Sequence, residues 1–333
     1  MLPVNAPAIP ELRGVALTTL HVNPIFEQLD GPPDLVARAK SLAQLALAER
    51  TVKGYAGCAR RFITWCGAYN ICAVPVTIED LLLYLAFRSQ RVKFGTVKQD
   101  LTAIRYLQTR FGFPMPQDVR IDDLMAGFAR LSEPPMPKYP LRVADVRMVC
   151  DMLDRCPNEV QAIRDRAMFL TAVFTVFRGN ELCGFQLVNV RFEARGVELR
   201  LPRSKRNQTG PPESIYLAYG DPQICPVRAL LGWIRLLPDD TGPLFRRVWS
   251  NGRIGTKRLH LNTWTTIVKR AVTLLGYDPT EYASHSLRSG GLVSEYEAGS
   301  STLELMRMGR YESERSLLPY LKYARPCPRL SVL

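Results

Sequence analysis

The sequence is poor in the residues that usually hold a metal. It has three histidines in 333 residues, His21, His260 and His285, and its eight cysteines form no CxxC pair. No zinc constellation of ordinary spacing can be assembled from them. No carboxylate cluster suggests a magnesium site either. No metal and no other cofactor is expected. Several cysteines fall at apolar helix positions, where a small core residue would sit, the usage of a reduced, intracellular protein. No run of 18 apolar residues marks a membrane span, and the N-terminus lacks the basic-then-apolar pattern of a signal peptide.

What is abundant is positive charge on a foldable chain. Hydrophobic residues make up 47% and the net charge is +13, with 31 acidic residues against 44 basic ones. Acids remain plentiful, so the excess is local basic surface rather than a basic tail. Such a balance favours a polyanionic partner, nucleic acid first; the alternative is a merely basic soluble enzyme. The length suffices for two domains.

Residues 1–34 are rich in Pro and Gly without period and read as an extended or disordered lead. Residues 35–131 read as all-helical. Asp34 is placed to cap a run from Leu35 to Glu49, and Thr51 to cap the next helix, with Tyr55, Ala59, Phe62 and Cys66 on one face and Lys53, Arg60 and Thr64 on the other. Thr77 precedes Ile78-Glu79-Asp80 and an apolar run to Phe87, a helix start with acids in its first turn. A helix from Gly95-Thr96 sets Val97, Leu101, Ile104 and Leu107 against the opposite stripe Lys98, Thr102, Arg105 and Thr109, and a short helix near Ile121–Leu131 follows. The Lys98/Arg105 stripe, with Lys53 and Arg60, suits DNA phosphates; a plain solvated face is the alternative. Residues 132–140 carry four prolines in nine residues, a semi-rigid linker.

Residues 141–333 read as a second domain. Val143–Leu153 and Glu159–Phe177 are expected as helices. Leu187–Phe192 and Val197–Leu201 alternate like strands about the turn Ala194-Arg195-Gly196, with Ser214–Ala218 as a third strand. Between the second and third strands lies the basic loop from Pro202 to Pro212. Helices are expected again at Pro226–Leu236 and Leu261–Leu275.

Five short motifs follow one another here: Arg178-Gly-Asn-Glu181-Leu, Pro202-Arg203-Ser-Lys205, His285-Ser-Leu-Arg288-Ser-Gly-Gly, Gly309-Arg310-Tyr311, and Tyr320. Singly each has an ordinary reading: Arg178 and Glu181 as a structural ion pair, Lys205 as a surface lysine. His285 and Arg288, three apart, would share a helix face. In this order they resemble the tyrosine recombinase (phage integrase) family, its catalytic domain over roughly residues 142–323 and its SAM-like core-binding domain over 35–131. The His-Ser-Leu-Arg-Ser-Gly-Gly form looks closest to the Cre-like, mobile-element branch. The fold class so implied is mainly α with a small antiparallel sheet: an all-α core-binding domain plus a mixed α+β catalytic domain.

The resemblance implies a site-specific DNA recombinase or integrase that cuts and rejoins DNA through a 3′-phosphotyrosyl intermediate without metal or ATP. Tyr320, nine residues after Tyr311, is the implied nucleophile, with Tyr323 as a decoy. Arg178 and Arg288 would clamp the non-bridging oxygens. Lys205 would protonate the leaving 5′-hydroxyl. His285 would take the tyrosine proton or share the clamp, with Glu181 holding His285 or Arg178. Arg203 is a further expected DNA contact. The expected partner is double-stranded DNA with paired, inverted-repeat sites, bound by a homo-tetramer that is a monomer or dimer when free. The expected compartment is intracellular and reducing, cytoplasm with nucleoid or a nucleus. Related alternatives are a type IB topoisomerase or hairpin-resolving enzyme, and a domesticated DNA-binding protein without catalysis.

Two departures stand out. Tyr311 occupies the position where the family usually has His or Trp; its hydroxyl can still donate to a phosphate oxygen. Pro319 directly precedes Tyr320, which predicts a helix starting close to Ser316 or a break there. The tail ends in Leu330–Leu333, a segment able to lie in a neighbour's groove.

Overall fold

The structure, a computed structural model, describes residues 29–114, 117–134, 136–202, 207 and 210–324. Most of the expected N-terminal lead, the loop residues Arg203 and Lys205, and the tail segment Leu330–Leu333 lie outside the described residues. The chain divides into two compact units, before and after the Pro135–Met136 bond.

The first unit is helical throughout: α1 (Pro33–Gln44), α2 (Glu49–Ala68), α3 (Ile78–Ser89), α4 (Phe94–Arg110) and α5 (Val119–Leu131). Two expected caps are corrected. α1 begins on Pro33 at its first turn, so Asp34 lies inside the helix, where its charge meets the dipole instead of capping. α2 begins at Glu49, which leaves Thr51 within it. Thr77 does cap α3, accepting the Asp80 N–H at 3.1 Å. Phe62, Cys66, Leu81, Leu85, Val97, Leu101, Ile104 and Leu107 interlock as one core. Inside it Asp100, wholly buried, accepts from Arg61 (2.7 Å) and Arg88 (2.8 Å), joining α2, α3 and α4. Lys53, Arg60, Lys98 and Arg105 all stay exposed, as the apolar spacing required. Lys53 shares its charge with Glu49, one turn back.

The second unit is built on α7 (Glu159–Thr175), whose second half, from Ala167 on, is apolar nearly all round and correspondingly buried. α6 (Val143–Leu153) precedes it and a short α8 (Gly179–Gly184) follows. Next comes a three-stranded antiparallel sheet, β1 (Val190–Glu193), β2 (Gly196–Leu201) and β3 (Glu213–Ala218), in sequence order. The β1–β2 turn falls at the expected residues, with Glu193 opposite Gly196. The first expected strand is shorter than its alternation suggested, because Leu187–Asn189 winds into a 3-10 turn. α9 (Pro226–Ile234) leads to a second hairpin that the sequence reading did not foresee, β4 (Arg246–Val248) and β5 (Ile254–Arg258). Its strands are short and crowded with arginine, so they carry no clean alternation. α10 (Leu261–Leu274), α11 (His285–Glu297), α12 (Thr302–Gly309) and α13 (Glu314–Leu321) complete the unit.

α11 is wedged deep in this unit, and its paired glycines explain how. A Cβ on Gly290 would lie 1.7 Å from the Leu141 carbonyl oxygen, and one on Gly291 would lie 2.1 Å from that of Val173. Any larger residue would push α11 away from both. From Lys138 onward the Pro-rich segment is laid along this unit: Tyr139 N–H donates to the Glu281 carbonyl at 3.0 Å and Leu141 N–H to that of Ser286 at 2.8 Å. α13 starts two residues before the expected Ser316, so Pro319 sits in its second turn rather than its first. Its missing N–H removes one bond from the helix, and the burial of Leu317 with Val176, Leu292 and Leu305 holds the helix in place.

Candidate active site

Three chain segments converge. The first is the end of α7. There Val176, wholly buried, adopts a left-handed conformation (φ 46°), unusual for a β-branched residue, and reverses the chain into Arg178. Arg178 caps α8. Its backbone N–H donates to Glu181 Oε2 and its Nη1 to Glu181 Oε1, both at 2.8 Å. Its other side-chain donors have no hydrogen-bond partner among the described residues.

The second segment is the start of α11. His285 is its first residue and Arg288 lies one turn on, the shared face expected from their spacing. Arg288 is 1% exposed. Its Nε donates to the Tyr311 hydroxyl at 3.1 Å, its Nη1 to the Val176 carbonyl and its Nη2 to the Gly309 carbonyl. Its guanidinium also lies over the Tyr311 ring, 4.9 Å from the centroid. The third segment is the turn from α12 into α13. Gly309 leaves room for the Tyr311 ring, which would meet a Cβ there at 2.2 Å. Arg310 closes α12 in a left-handed conformation, φ 54°.

Tyr320 points into this convergence. Its hydroxyl is 3.0 Å from His285 Nε2, and its ring centroid is 5.6 Å from that of Tyr311. Tyr323 has another occupation: its ring packs on Tyr139 at 5.4 Å, and its carbonyl accepts from Arg142 at 2.7 Å. The His285 ring keeps an exposed edge. Surrounding protein and the Arg288 and Arg178 guanidiniums nevertheless hold it below the ordinary imidazole range, so it is neutral at pH 7. Burial pushes the Tyr311 phenol up, against the pull of Arg288.

The structure thus brings together Arg178, Glu181, His285, Arg288, Tyr311 and Tyr320. Lys205 and Arg203 lie outside the described residues, and Lys53, Arg60, Lys98 and Arg105 belong to the other unit. Of the two partners expected for Glu181 the structure shows Arg178 and not His285, and it adds Arg310, through Nη2 at 2.8 Å. Arg288 is not a free fork, because three of its N–H groups are engaged within the protein. The Tyr311 hydroxyl, expected to donate to phosphate, also accepts from Arg288. Sequence reasoning missed Arg310, which served only to mark the spacing after Gly309.

No family model matches the chain. It is 27% identical over 294 residues to the integrase/recombinase XerD homologue of Selenomonas ruminantium, covering 86% of each protein. In fold it matches the XerH site-specific recombinase bound to palindromic difH substrate, with a TM-score of 0.59 over 93% of this chain and 92% of the other at 12% identity. The lambda integrase dimer bound to a core site gives a TM-score of 0.56 over 93% and 87% at 15% identity. The chain is thus similar in sequence, along most of its length, to an integrase/recombinase homologue, and similar in fold to solved recombinases; it is mainly helical with small antiparallel sheets.

Proposed function

We propose that the chain is a tyrosine site-specific recombinase, cutting and rejoining DNA with Tyr320 as its nucleophile. The observation that carries the reading is the 3.0 Å contact between the Tyr320 hydroxyl and a His285 ring kept neutral by its surroundings. A neutral imidazole can accept the phenolic proton. The freed oxygen attacks a backbone phosphorus in line; the Tyr320 O–P bond forms, the P–O5′ bond breaks, and the 5′-hydroxyl leaves with a proton. Lys205 is our candidate for that proton, from a loop that begins at the end of β2.

Charge on the five-coordinate phosphorus falls on its non-bridging oxygens. Arg178, with most of its donors open, is the direct clamp. Arg288 acts at close range through its field and through Tyr311, whose hydroxyl it polarises as a donor to the phosphate. The phosphotyrosyl bond retains the energy of the phosphodiester, so a second 5′-hydroxyl reverses the step on another strand. The DNA would carry paired, inverted-repeat sites bound by four copies, in a reducing, DNA-containing compartment. The helical unit over 35–131 would clamp the duplex with Lys53, Arg60, Lys98 and Arg105, tethered by residues 132–140, and Arg203 would reach phosphate beside Lys205. No helix among the described residues is long and apolar enough to cross a membrane.

The test is a nicked suicide duplex carrying the site found beside the gene. Wild type is expected to form a covalent protein–DNA adduct and Tyr320→Phe none. An undiminished adduct with Tyr320→Phe, or none with wild type, overturns the reading.

A further inference from the structure

Glu181 serves two arginines with one carboxylate. Oε1 accepts Arg178 Nη1, while Oε2 accepts both the Arg178 backbone N–H and Arg310 Nη2, each at 2.8 Å. Arginine and carboxylate left to themselves favour a two-pronged fork. Here the fork is denied, because Arg310 and the Arg178 backbone N–H together take up the second oxygen.

Arg310 is held firmly in that place. It is the left-handed residue that closes α12, and its side chain is 11% exposed. Its guanidinium lies over the Phe177 ring, 5.0 Å from the centroid. Nε is 3.5 Å from Glu213 Oε2, at the start of β3. Beyond that ion pair, among the described residues neither Nε nor Nη1 of Arg310 has a hydrogen-bond partner, and neither does Glu213 Oε2. A purely structural buried arginine would have its donors satisfied, since leaving them bare is costly. This one is kept under-bonded, close to a guanidinium whose work requires freedom from its own carboxylate.

We infer that Arg310 is a positioning residue of the site: by occupying Glu181 Oε2 it prevents that carboxylate from neutralising Arg178 in a fork, and so keeps the Arg178 guanidinium open to phosphate. The inference rests on the recombinase reading above. It makes the Glu181 charge useful while Arg310 is present and harmful once Arg310 is gone.

That reversal is the test. Single-turnover adduct formation on the suicide duplex is measured for wild type, Arg310→Gln, Glu181→Gln and the double variant, with DNA affinity and Tm alongside. Arg310→Gln is expected to slow cleavage about 10–100-fold, the usual loss for a group that orients a ligand from behind, with DNA affinity retained. The double variant is expected to cleave faster than Arg310→Gln alone, because no carboxylate is left to capture Arg178. If Arg310→Gln cleaves within about twofold of wild type, or the double variant is no faster than Arg310→Gln, the inference falls. Should Arg310→Gln not fold, Arg310→Lys with and without Glu181→Gln is judged by the same criterion. An adduct absent from wild type itself would instead remove the recombinase reading.

Discussion

Each of the two units contains a buried carboxylate shared by two arginines, and the two arrangements serve different ends. In the first unit the buried member is the anion. Asp100 is fully enclosed, and Arg61 and Arg88, with 46% and 12% of their side chains exposed, reach inward to satisfy it. In the second unit Glu181 is likewise the most enclosed member of its cluster, 7% exposed against 23% for Arg178. Arg288 is 1% exposed and the Arg310 side chain 11%. Glu181 and Glu213 both pair with Arg310, and among the described residues Arg310 Nη1 and most of the Arg178 donors have no hydrogen-bond partner. The Asp100 cluster is a rivet between α2, α3 and α4, whereas the Glu181 cluster places Arg178 where its charge acts on His285.

The comparison can be broken by exchanging which unit's variants lose activity and which lose stability. The largest expected effect is on cleavage by Arg178→Ala, which should cost about 3 kcal/mol or more of transition-state stabilisation, the scale of deleting one oxyanion donor. Its Tm should move little, since the side chain reaches the surface; single-turnover kinetics and a thermal melt read both. Arg288→Ala should lose comparable activity and also stability, because it strands the Val176 and Gly309 carbonyls and the Tyr311 hydroxyl. Each such group costs about 1–3 kcal/mol when left unpaired. A melt that fails to separate the two arginine variants would undo the contrast drawn between them.

Asp100→Asn should lower the stability of the first unit by about 1–3 kcal/mol, as the loss of a buried hydrogen-bonded charge does. Measured on the folded fraction, its cleavage rate should match wild type. A gentler probe is pH. His285 is held below the ordinary imidazole value of about 6.5. It is therefore neutral above that pH and gains a proton only below it. Cleavage should stay level from about pH 6.5 upward and fall below it as the base is protonated, and the acid limb should vanish in His285→Ala. The smallest effects are expected at the surface of the first unit. Lys98→Ala and Arg105→Ala should each weaken DNA binding evenly across sequences and lower the salt slope by about one.

Much of the fold was legible because periodic burial writes itself into sequence. The α4 stripe of Val97, Leu101, Ile104 and Leu107 is buried and its Lys98/Arg105 stripe exposed, as the spacing predicted. The apolar length of α7 announced a central helix. Helix starts were less legible. Asp34 and Thr51 are good capping residues, yet Pro33 and Glu49 begin their helices earlier, since a first turn tolerates both. Short, arginine-rich β4 and β5 left no period to read. At the site, residue types and spacing pointed to Arg178, His285, Arg288, Tyr311 and Tyr320, which the structure gathers together. The partners of Arg288 and Arg310 were not legible, because a hydrogen bond between residues more than a hundred positions apart, such as Arg310 with Glu181, has no local signature.

Sequence alone determined which side chains are present for the chemistry and on which helices they ride, since helix faces follow from a period of 3.6 residues. It also determined a strongly basic net charge, because net charge is a sum over residues. Tertiary structure alone decided which arginine is open and which is enclosed. It turned the Val176 carbonyl toward Arg288, separated Tyr320 from Tyr323, and set Arg310 between Glu181 and Phe177. The physical reason is that donor and acceptor satisfaction is a property of neighbours in space, and those neighbours are chosen by how the helices pack.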